Sequence, residues 1–557
     1  MRMQKVHRRT YKHLITFYLF FQPKKKKILQ SEGALYLATR DPSELIQIIE
    51  MEYFVSSLFY LFLIIWILVK ALELFSFARS RKLPPGPKPL PIIGNLLELI
   101  GDKSHKSLAK LSNSYGPIMH LKLGQITTIV VSSAAVAREV LQRHDRLFSN
   151  RTVPDAIHAS DHSEFSLPWM PISPTWRKLR KICNSHLFSA KVLDANMSLR
   201  HKKVQELLAD VHKSAKDGEA VDIGKAAFKT SLNILSTTFF SMEYFADHAS
   251  DTVRNFKEIV WGMVEEIARP NVADYFPILR MVDPQGIRKR TTIHFRKTLD
   301  LFGNIINRRL QIREKIGSTQ DIDMLDTLIN MTINKEKLED HDQLDKTTIE
   351  HLLLDLFGAG TETTSATLEW SMAELLKAPE ILSEAQAELE QVIGKGNQVK
   401  ESDIARLPYL QAIVKETLRL HPTVPLLLPR KAAKDVKVFG YTIPKGAQVI
   451  VNVWAISRDS TIWENPEKFM PGRFLDSNID VRGHDFEFTP FGAGRRLCPG
   501  LPLAIRILPL MLGSLLHSFD WMLEDGVTPE TINMEDKFGL TLQMAQPLRA
   551  IPRSINT

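Results

Sequence analysis

Cysteine is almost absent from this chain, which holds Cys183 and Cys498 among 557 residues. Two cysteines cannot build a disulfide framework. With no Cys-x-x-Cys pair, zinc ribbons and thiol exchange motifs are excluded as well. The body of the protein is therefore expected to face the cytosol. Net charge is nearly as scarce once the first 50 residues are set aside. They carry ten Lys and Arg against four Asp and Glu, so most of the formal +9 lies in the leader. The high isoelectric point thus comes largely from the leader, and no nucleic-acid partner is expected. A dinucleotide-binding glycine fingerprint is missing too: Gly492-Ala493-Gly494 is followed by Leu497 where the third glycine belongs. There are no internal repeats, and residues 200–345 alternate amphipathic helical patterns with charged loops without a catalytic constellation.

Long uncharged runs are missing with one exception, Tyr53 to Val69. As a helix it reaches about 26 Å, enough for a thin endoplasmic-reticulum bilayer, with Lys70 able to snorkel. Leu14 to Phe21 is too short to span. Arg79, Arg81 and Lys82 follow the long run and place the downstream chain in the cytosol, whereas the basic leader argues the other way. Met51 is therefore expected to be the working start, with residues 1–50 an extension. A transit peptide is the rival, although Ser31 and Ser43 are the only serines there. The expected organisation is a basic extension at 1–50, a membrane anchor helix at 51–76, a basic and proline-rich linker at 77–95, and a catalytic domain at 96–557. Pro84-Pro85-Gly86-Pro87 makes the linker a stiff, non-helical spacer.

Local signals mark several elements downstream. Met119 to Val131 alternates around Gly124-Gln125 as a hairpin, and Val436 to Val451 alternates around Gly440 and Pro444-Lys445-Gly446 as strands. Trp176 and Arg180 share one helical face. Thr347-Thr348-Ile349-Glu350 has the form of a capping box, opening a helix that runs to Lys377 before Pro379. Inside it, Gly358 and Gly360 each cost about 1 kcal/mol relative to alanine, and are expected to open a groove in one face. A further helix runs between Pro408 and Pro422 with Glu416 and Arg419 on one side. Near the end stands Phe491-Gly492-Ala493-Gly494-Arg495-Arg496-Leu497-Cys498-Pro499-Gly500. Glycines on both sides of Cys498 leave room for a large flat group. Pro499 suits the first position of a helix, which sets the thiol at a helix N-terminus that favours a thiolate, a soft metal ligand. The plain alternative is a buried structural cysteine in a turn.

Phe491, Gly494, Arg496, Cys498 and Gly500, at these gaps, match the signature of the haem-thiolate monooxygenases, and the chain resembles the cytochrome P450 superfamily over about residues 51–552. The resemblance implies a mainly α fold: one large helical haem-thiolate monooxygenase domain with a small β-sheet region, preceded by an N-terminal transmembrane helix. It implies haem b (iron protoporphyrin IX) with Cys498 as axial ligand of the iron. O2 and electrons from NADPH, passed on by a flavoprotein reductase, would be consumed. Trp176, Arg180, Arg430 and Arg496 would meet the haem propionates, and Phe491, Gly494 and Gly500 would shape the ligand loop. Ala359-Gly360-Thr361-Glu362-Thr363-Thr364 resembles the family's oxygen-binding helix, with Glu362 and Thr363 as its acid and alcohol delivering protons. Glu416, Arg419 and Arg473 correspond to a buried structural triad. Gly472 stands where the family carries glutamate, which puts the hydrogen bonds of that segment in question.

Lys178 and Lys181 belong either to a basic docking face for the reductase or to a solvated helix face, and Cys183 to the core. The substrate wall implied by the resemblance takes in the loop from Phe165 to Met170, with Ala359, Leu426, Leu427, Leu540 and Thr541. Its apolar character suits a lipophilic substrate, though ordinary packing is open for each residue. The run Arg151-Thr152-Val153-Pro154-Asp155-Ala156, with the anchor and proline hinge, resembles the plant terpenoid-hydroxylase branch that contains geraniol 8-hydroxylases. The function implied is hydroxylation of a terpenoid by a single-pass endoplasmic-reticulum enzyme facing the cytosol. Alternatives are a hydroxylase of alkaloids, phenolics or xenobiotics, a haem-thiolate isomerase or dehydratase, and a haem-binding sensor.

Overall fold

Proline, glycine and the apolar periodicity divide this chain into helices with a few short strands between them. The computed structural model describes residues 51, 53–61, 63–68, 82–99, 103–241, 251–316, 323–333, 344–537, 539 and 541–555. It falls into two units, Met1–Lys82 and Leu83–Thr557. Of the first, the described part is essentially one apolar helix, Tyr53–Leu68, whose large side chains are exposed. The leader and the basic residues Arg79 and Arg81 lie outside the described residues.

In the second unit, strands β1 (Ile118–Leu123) and β2 (Ile126–Val131) form the expected hairpin, with Leu123 opposite Ile126. They continue into a sheet with β3 (Asn150–Arg151), β4 (Arg430–Lys431) and β5 (Gln448–Val451), in the order β1-β2-β5-β4-β3. Only β2 and β5 run parallel. This sheet sets Arg151 beside Arg430 in register. The proline-rich stretch is non-helical and lies along β1. The His120 N–H donates to the Pro85 carbonyl at 2.8 Å, and the Lys122 N–H to the Asn95 side chain at 2.8 Å. A Cβ on Gly86 would fall 1.9 Å from the His120 carbonyl oxygen, so no other residue fits there.

The helices that build the site are α1 (Pro174–Ile182), α2 (Ile223–Phe240), α3 (Asp251–Ala268), α4 (Lys346–Lys377), α5 (Pro408–Leu420) and α6 (Leu501–Ser518). Helix α4 buries 24 of its 32 residues, among them polar ones such as Thr361, Glu362, Ser365 and Glu369, so it runs through the interior rather than along the surface. Its first half gives Leu352, Leu353 and Phe357 to one core cluster and its second half gives Leu368, Trp370 and Met372 to another. Asp345 caps it, accepting from the Thr348 N–H at 2.6 Å. The capping box expected at Thr347 is therefore wrong by two residues: an aspartate upstream captures the same free N–H groups first. Helix α6 is long and apolar enough to cross a membrane, yet 72% of it is buried inside the protein, and it is a core helix.

Candidate active site

The loop before α6 is shaped by backbone that only glycine adopts easily. Gly492 and Gly494 have φ of 71° and 68°, and a Cβ on Gly494 would lie 2.3 Å from the Leu141 carbonyl oxygen. The Cys498 N–H closes the loop on the Phe491 carbonyl at 3.0 Å. Helix α6 begins at Leu501 with Pro502 in its first turn, so the start expected at Pro499 comes late. Pro499 and Gly500 form the turn leading in. That delay lets the N–H groups of Gly500 and Leu501 point back at the Cys498 sulfur. Burial raises the thiol pKa, and these donors together with Arg180 oppose it. The start of the helix thus opposes, through Gly500 and Leu501, a rise in the thiol pKa that burial dominates.

Four arginines converge nearby. Arg180 donates to the Leu497 carbonyl at 2.5 Å. Arg496 donates to the carbonyls of Ser149, Leu167 and Met170 at 2.9, 2.9 and 2.5 Å. Arg430 reaches the Ala493 carbonyl at 3.2 Å, and Arg151 reaches those of Pro168 and Leu428 at 3.1 and 2.6 Å. Among the described residues the carboxylate acting on this group is Asp145, 3.5 Å from Arg430 and 3.1 Å from Arg495. Burial and the Arg430 and Arg180 charges push Arg496 down to about 9. Burial pushes Arg430 to about 10 against the pull of Asp145, and burial with Arg430 and Arg496 lowers Arg151 as well. So large a surplus of buried cation beside a thiol that accepts N–H bonds fits a flat prosthetic group bearing two carboxylates. Trp176 lies under the Arg496 guanidinium at 4.7 Å, but its indole N–H is given to the Leu167 carbonyl. It supports an arginine rather than presenting a donor of its own.

Cys498, these arginines and α4 enclose one cavity of about 350 Å³. Glu362, Thr363, Ala359, Leu427 and Thr541 line it, as do Trp176, Arg180, Arg430, Phe491, Cys498 and Gly500. Of the expected loop from Phe165 to Met170, Leu167, Pro168 and Trp169 line it too, whereas Phe165 and Met170 at its ends, and Leu426, do not. Phe165 stacks on His351 at 4.8 Å. Met170 is buried beside Trp169 and Trp176 and contributes its carbonyl to Arg496. Leu426 packs with Leu108, Met119 and Leu121, because the chain turns here, the Leu427 N–H donating to the Val424 carbonyl at 3.0 Å with Leu427 at a positive φ. Leu540 lies outside the described residues.

Walls that the sequence did not reveal come from Leu235 on α2, from Met263, Val264 and Ile267 on α3, and from Phe295. Gly358 and Gly360 line the cavity, but not as an open groove. A Cβ at either would sit 3.0 Å from Met263 or Leu235, so these glycines admit the neighbouring helices. The nearby carbonyls are engaged as well: Thr363 donates to Ala359 at 2.7 Å and Thr364 to Gly360 at 2.8 Å.

Glu362 is buried, and burial pushes its carboxyl up to about 7 against hydrogen bonds from Thr541 and Gln543. A carboxyl half-ionised near neutral pH, next to a hydroxyl on the same cavity, is suited to proton transfer. Glu416 is fully buried and accepts from Arg419 at 2.7 and 2.8 Å, from Arg473 at 3.1 Å and from the Met470 N–H at 2.8 Å. Gly472 is exposed with open space where a Cβ would stand. The segment keeps its hydrogen bonds without a glutamate there. Cys183 is buried, its thiol pushed up to about 12 by burial.

The sequence profile of the family described as Cytochrome P450 matches residues 84–548. The chain is 57% identical over 484 residues to a geraniol 8-hydroxylase of Swertia mussotii, covering 87% of this chain and 96% of that one. It is 55% identical over 485 residues to a geraniol 8-hydroxylase of Catharanthus roseus, covering 87% and 97%. Among solved structures, a zebra fish cytochrome P450 with progesterone matches with a TM-score of 0.69 and 26% identity, over 81% of this chain and 99% of the other.

Proposed function

This chain belongs to the cytochrome P450 family, and from that premise we propose that it is a membrane-anchored monooxygenase hydroxylating a lipophilic terpenoid, with Cys498 as the residue whose thiolate would hold the iron of haem b. The observation that carries the proposal is the cavity itself. It brings a thiol that accepts N–H bonds into one space with a buried acid and an alcohol, ringed by arginines with too few carboxylates. Bound through the thiolate, haem supplies the activation of O2, one atom of which enters a C–H bond while the other leaves as water, with electrons from NADPH.

The protein's own part is binding, orientation and proton management. Arg151, Arg180, Arg430 and Arg496 hold the propionates, and Trp176 supports Arg496 from below. Leu235, Met263, Val264, Leu427 and Phe295 give the substrate an apolar berth and keep bulk water from it. Thr363 offers its hydroxyl oxygen to a water, and Glu362 exchanges a proton with that water because its carboxyl titrates near 7. Glu416, Arg419 and Arg473 stiffen the segment before the ligand loop.

A terpenoid substrate is supported by the two geraniol 8-hydroxylases at 57% and 55% identity. Which carbon is oxidised depends on differences worth about 1–3 kcal/mol per methylene. Microsomes carrying the protein and a flavoprotein reductase are expected to convert geraniol or another terpenoid to a hydroxylated product only with NADPH. Turnover of a peroxide without NADPH would instead identify an isomerase or dehydratase.

The exposed apolar helix Tyr53–Leu68 serves as a single-pass anchor in the endoplasmic reticulum, with residues 1–50 an extension and the catalytic domain in the cytosol. Protease added to sealed microsomes is expected to digest the catalytic domain; its protection would reverse this topology.

A further inference from the structure

The partners of Glu362 come from the far end of the chain. A C-terminal hairpin pairs Asp536–Lys537 with Gln543–Met544, with Lys537 opposite Gln543. The Gln543 amide donates to the Glu362 carboxylate and lies 3.4 Å from the Thr541 hydroxyl, which is itself bonded to Glu362. Lys537 is the charged group that acts on this carboxylate, through space. The hairpin is well anchored. Leu542 donates to the Thr423 carbonyl at 2.7 Å, Trp370 donates to the Leu542 carbonyl at 3.3 Å, and Asp536 meets His105 and Lys106 at 3.0 Å each. Thr541 and Glu362 both line the cavity, whereas Gln543 stands behind them. One turn therefore touches the substrate space and grips the proton donor.

We propose that Gln543 is a positioning residue of the proton relay, holding the Glu362 carboxyl together with Thr541 so that occupancy of the cavity is coupled to the charge of Glu362. The inference rests on the monooxygenase reading for its purpose, and on geometry for its content. A primary amide suits the task because it serves both charge states: its N–H donates to a carboxylate, and after rotation its carbonyl accepts from a carboxylic acid. The carboxyl thus stays in place as the proton comes and goes. Donation by Gln543 and Thr541 favours the ionised form, and burial favours the neutral one. A substrate that engages the Thr541 hydroxyl removes one of the two side-chain donors. Glu362 then takes up a proton when there is something to oxidise.

The test is an infrared titration of the Glu362 carboxyl in the full-length haem-loaded protein, assigned with Glu362→Gln. Gln543→Leu preserves bulk and loses both hydrogen-bonding functions, so the midpoint is expected to rise by about one pH unit. In the wild-type protein, saturating geraniol is expected to raise it in the same direction, and in Thr541→Val that ligand effect is expected to vanish. NADPH consumed per product formed should increase in Gln543→Leu. A wild-type midpoint in Gln543→Leu would overturn the proposal. If that variant does not fold, Gln543→Asn, whose amide is too short to reach, is expected to show the same rise, and an unshifted midpoint there overturns the proposal equally. The midpoint is read without turnover, so the absence of any NADPH-dependent product would count against the functional reading alone.

Discussion

Alanine at Glu416 is expected to lower stability by about 3–5 kcal/mol and to give protein that purifies without haem. The carboxylate is fully buried and satisfies two guanidiniums and a backbone N–H at once. Arg419 is also fully buried, and its other donors are already committed to the carbonyls of Ser457, Pro466 and Lys468. Once Glu416 is gone, Arg419 has no route to solvent and carries an uncompensated charge in the core. The damage travels toward the site along a definite path. Arg419 and Arg473 both lie over the Trp463 ring, at 5.4 and 5.9 Å. Trp463 packs on Phe474 and Phe488, which pack on each other at 5.1 Å. Three residues after Phe488 comes Phe491, whose carbonyl closes the cysteine loop. Against a total stability of about 5–15 kcal/mol, a loss of this size removes from about a fifth to all of the margin. Denaturant unfolding, with haem absorbance per unit protein, checks both halves. A Glu416→Ala protein that keeps its haem and its unfolding midpoint would remove this triad from the account.

What could be read beforehand was whatever is written locally. Proline bounds α5 at Pro408 and Pro422, Gly124 marks the first hairpin, and the gaps around Cys498 carry the ligand loop. The misses have one common cause, which is that the deciding partner is remote in sequence. Asp345 and Thr347 are both good caps, and nothing within the segment chooses between them. Leu426 and Leu427 are alike as residues, yet Leu427 takes a positive φ of 49° and lines the cavity while Leu426 joins the cluster under β1. Helices α2 and α3 have ordinary apolar faces, and only packing tells which part of them is core and which is pocket wall. Asp145 becomes the counter-ion of Arg430 and Arg495 across about 285 and 350 residues. Gln543 meets Glu362 across 181, and no periodicity records such a pairing. Chemistry that one loop can hold was legible in the residues, remote groupings such as Glu416 with Arg473 were legible through the family resemblance, and pairings outside its motifs were not legible at all.

Serine at Cys498 is expected to abolish oxygenation and, with it, the red-shifted absorption of the reduced carbon monoxide complex that thiolate ligation produces. The substitution leaves a slightly smaller acceptor in place for the donors from Gly500 and Leu501, and the loop closure on Phe491 is made by the backbone and is untouched. Folding stability should therefore change little, by about 0.5–1 kcal/mol, in contrast to Glu416→Ala. What changes is the charge the site can hold. The two N–H groups and Arg180 work against the burial that raises the thiol pKa, and a thiol starts from a pKa low enough for that help to matter. A hydroxyl starts so much higher that the same donors leave it neutral, and a neutral oxygen does not push electron density onto iron. The two variants thus separate the ways this site can fail. Glu416→Ala loses haem because the support collapses, whereas Cys498→Ser keeps a folded protein whose remaining haem lacks its electron-donating ligand. Circular dichroism and unfolding curves close to wild type, together with loss of the band, are the expected pair of results. Survival of the band in a folded Cys498→Ser protein would mean that the iron is held elsewhere, and the assignment of every residue around the cavity would have to be rebuilt from that point.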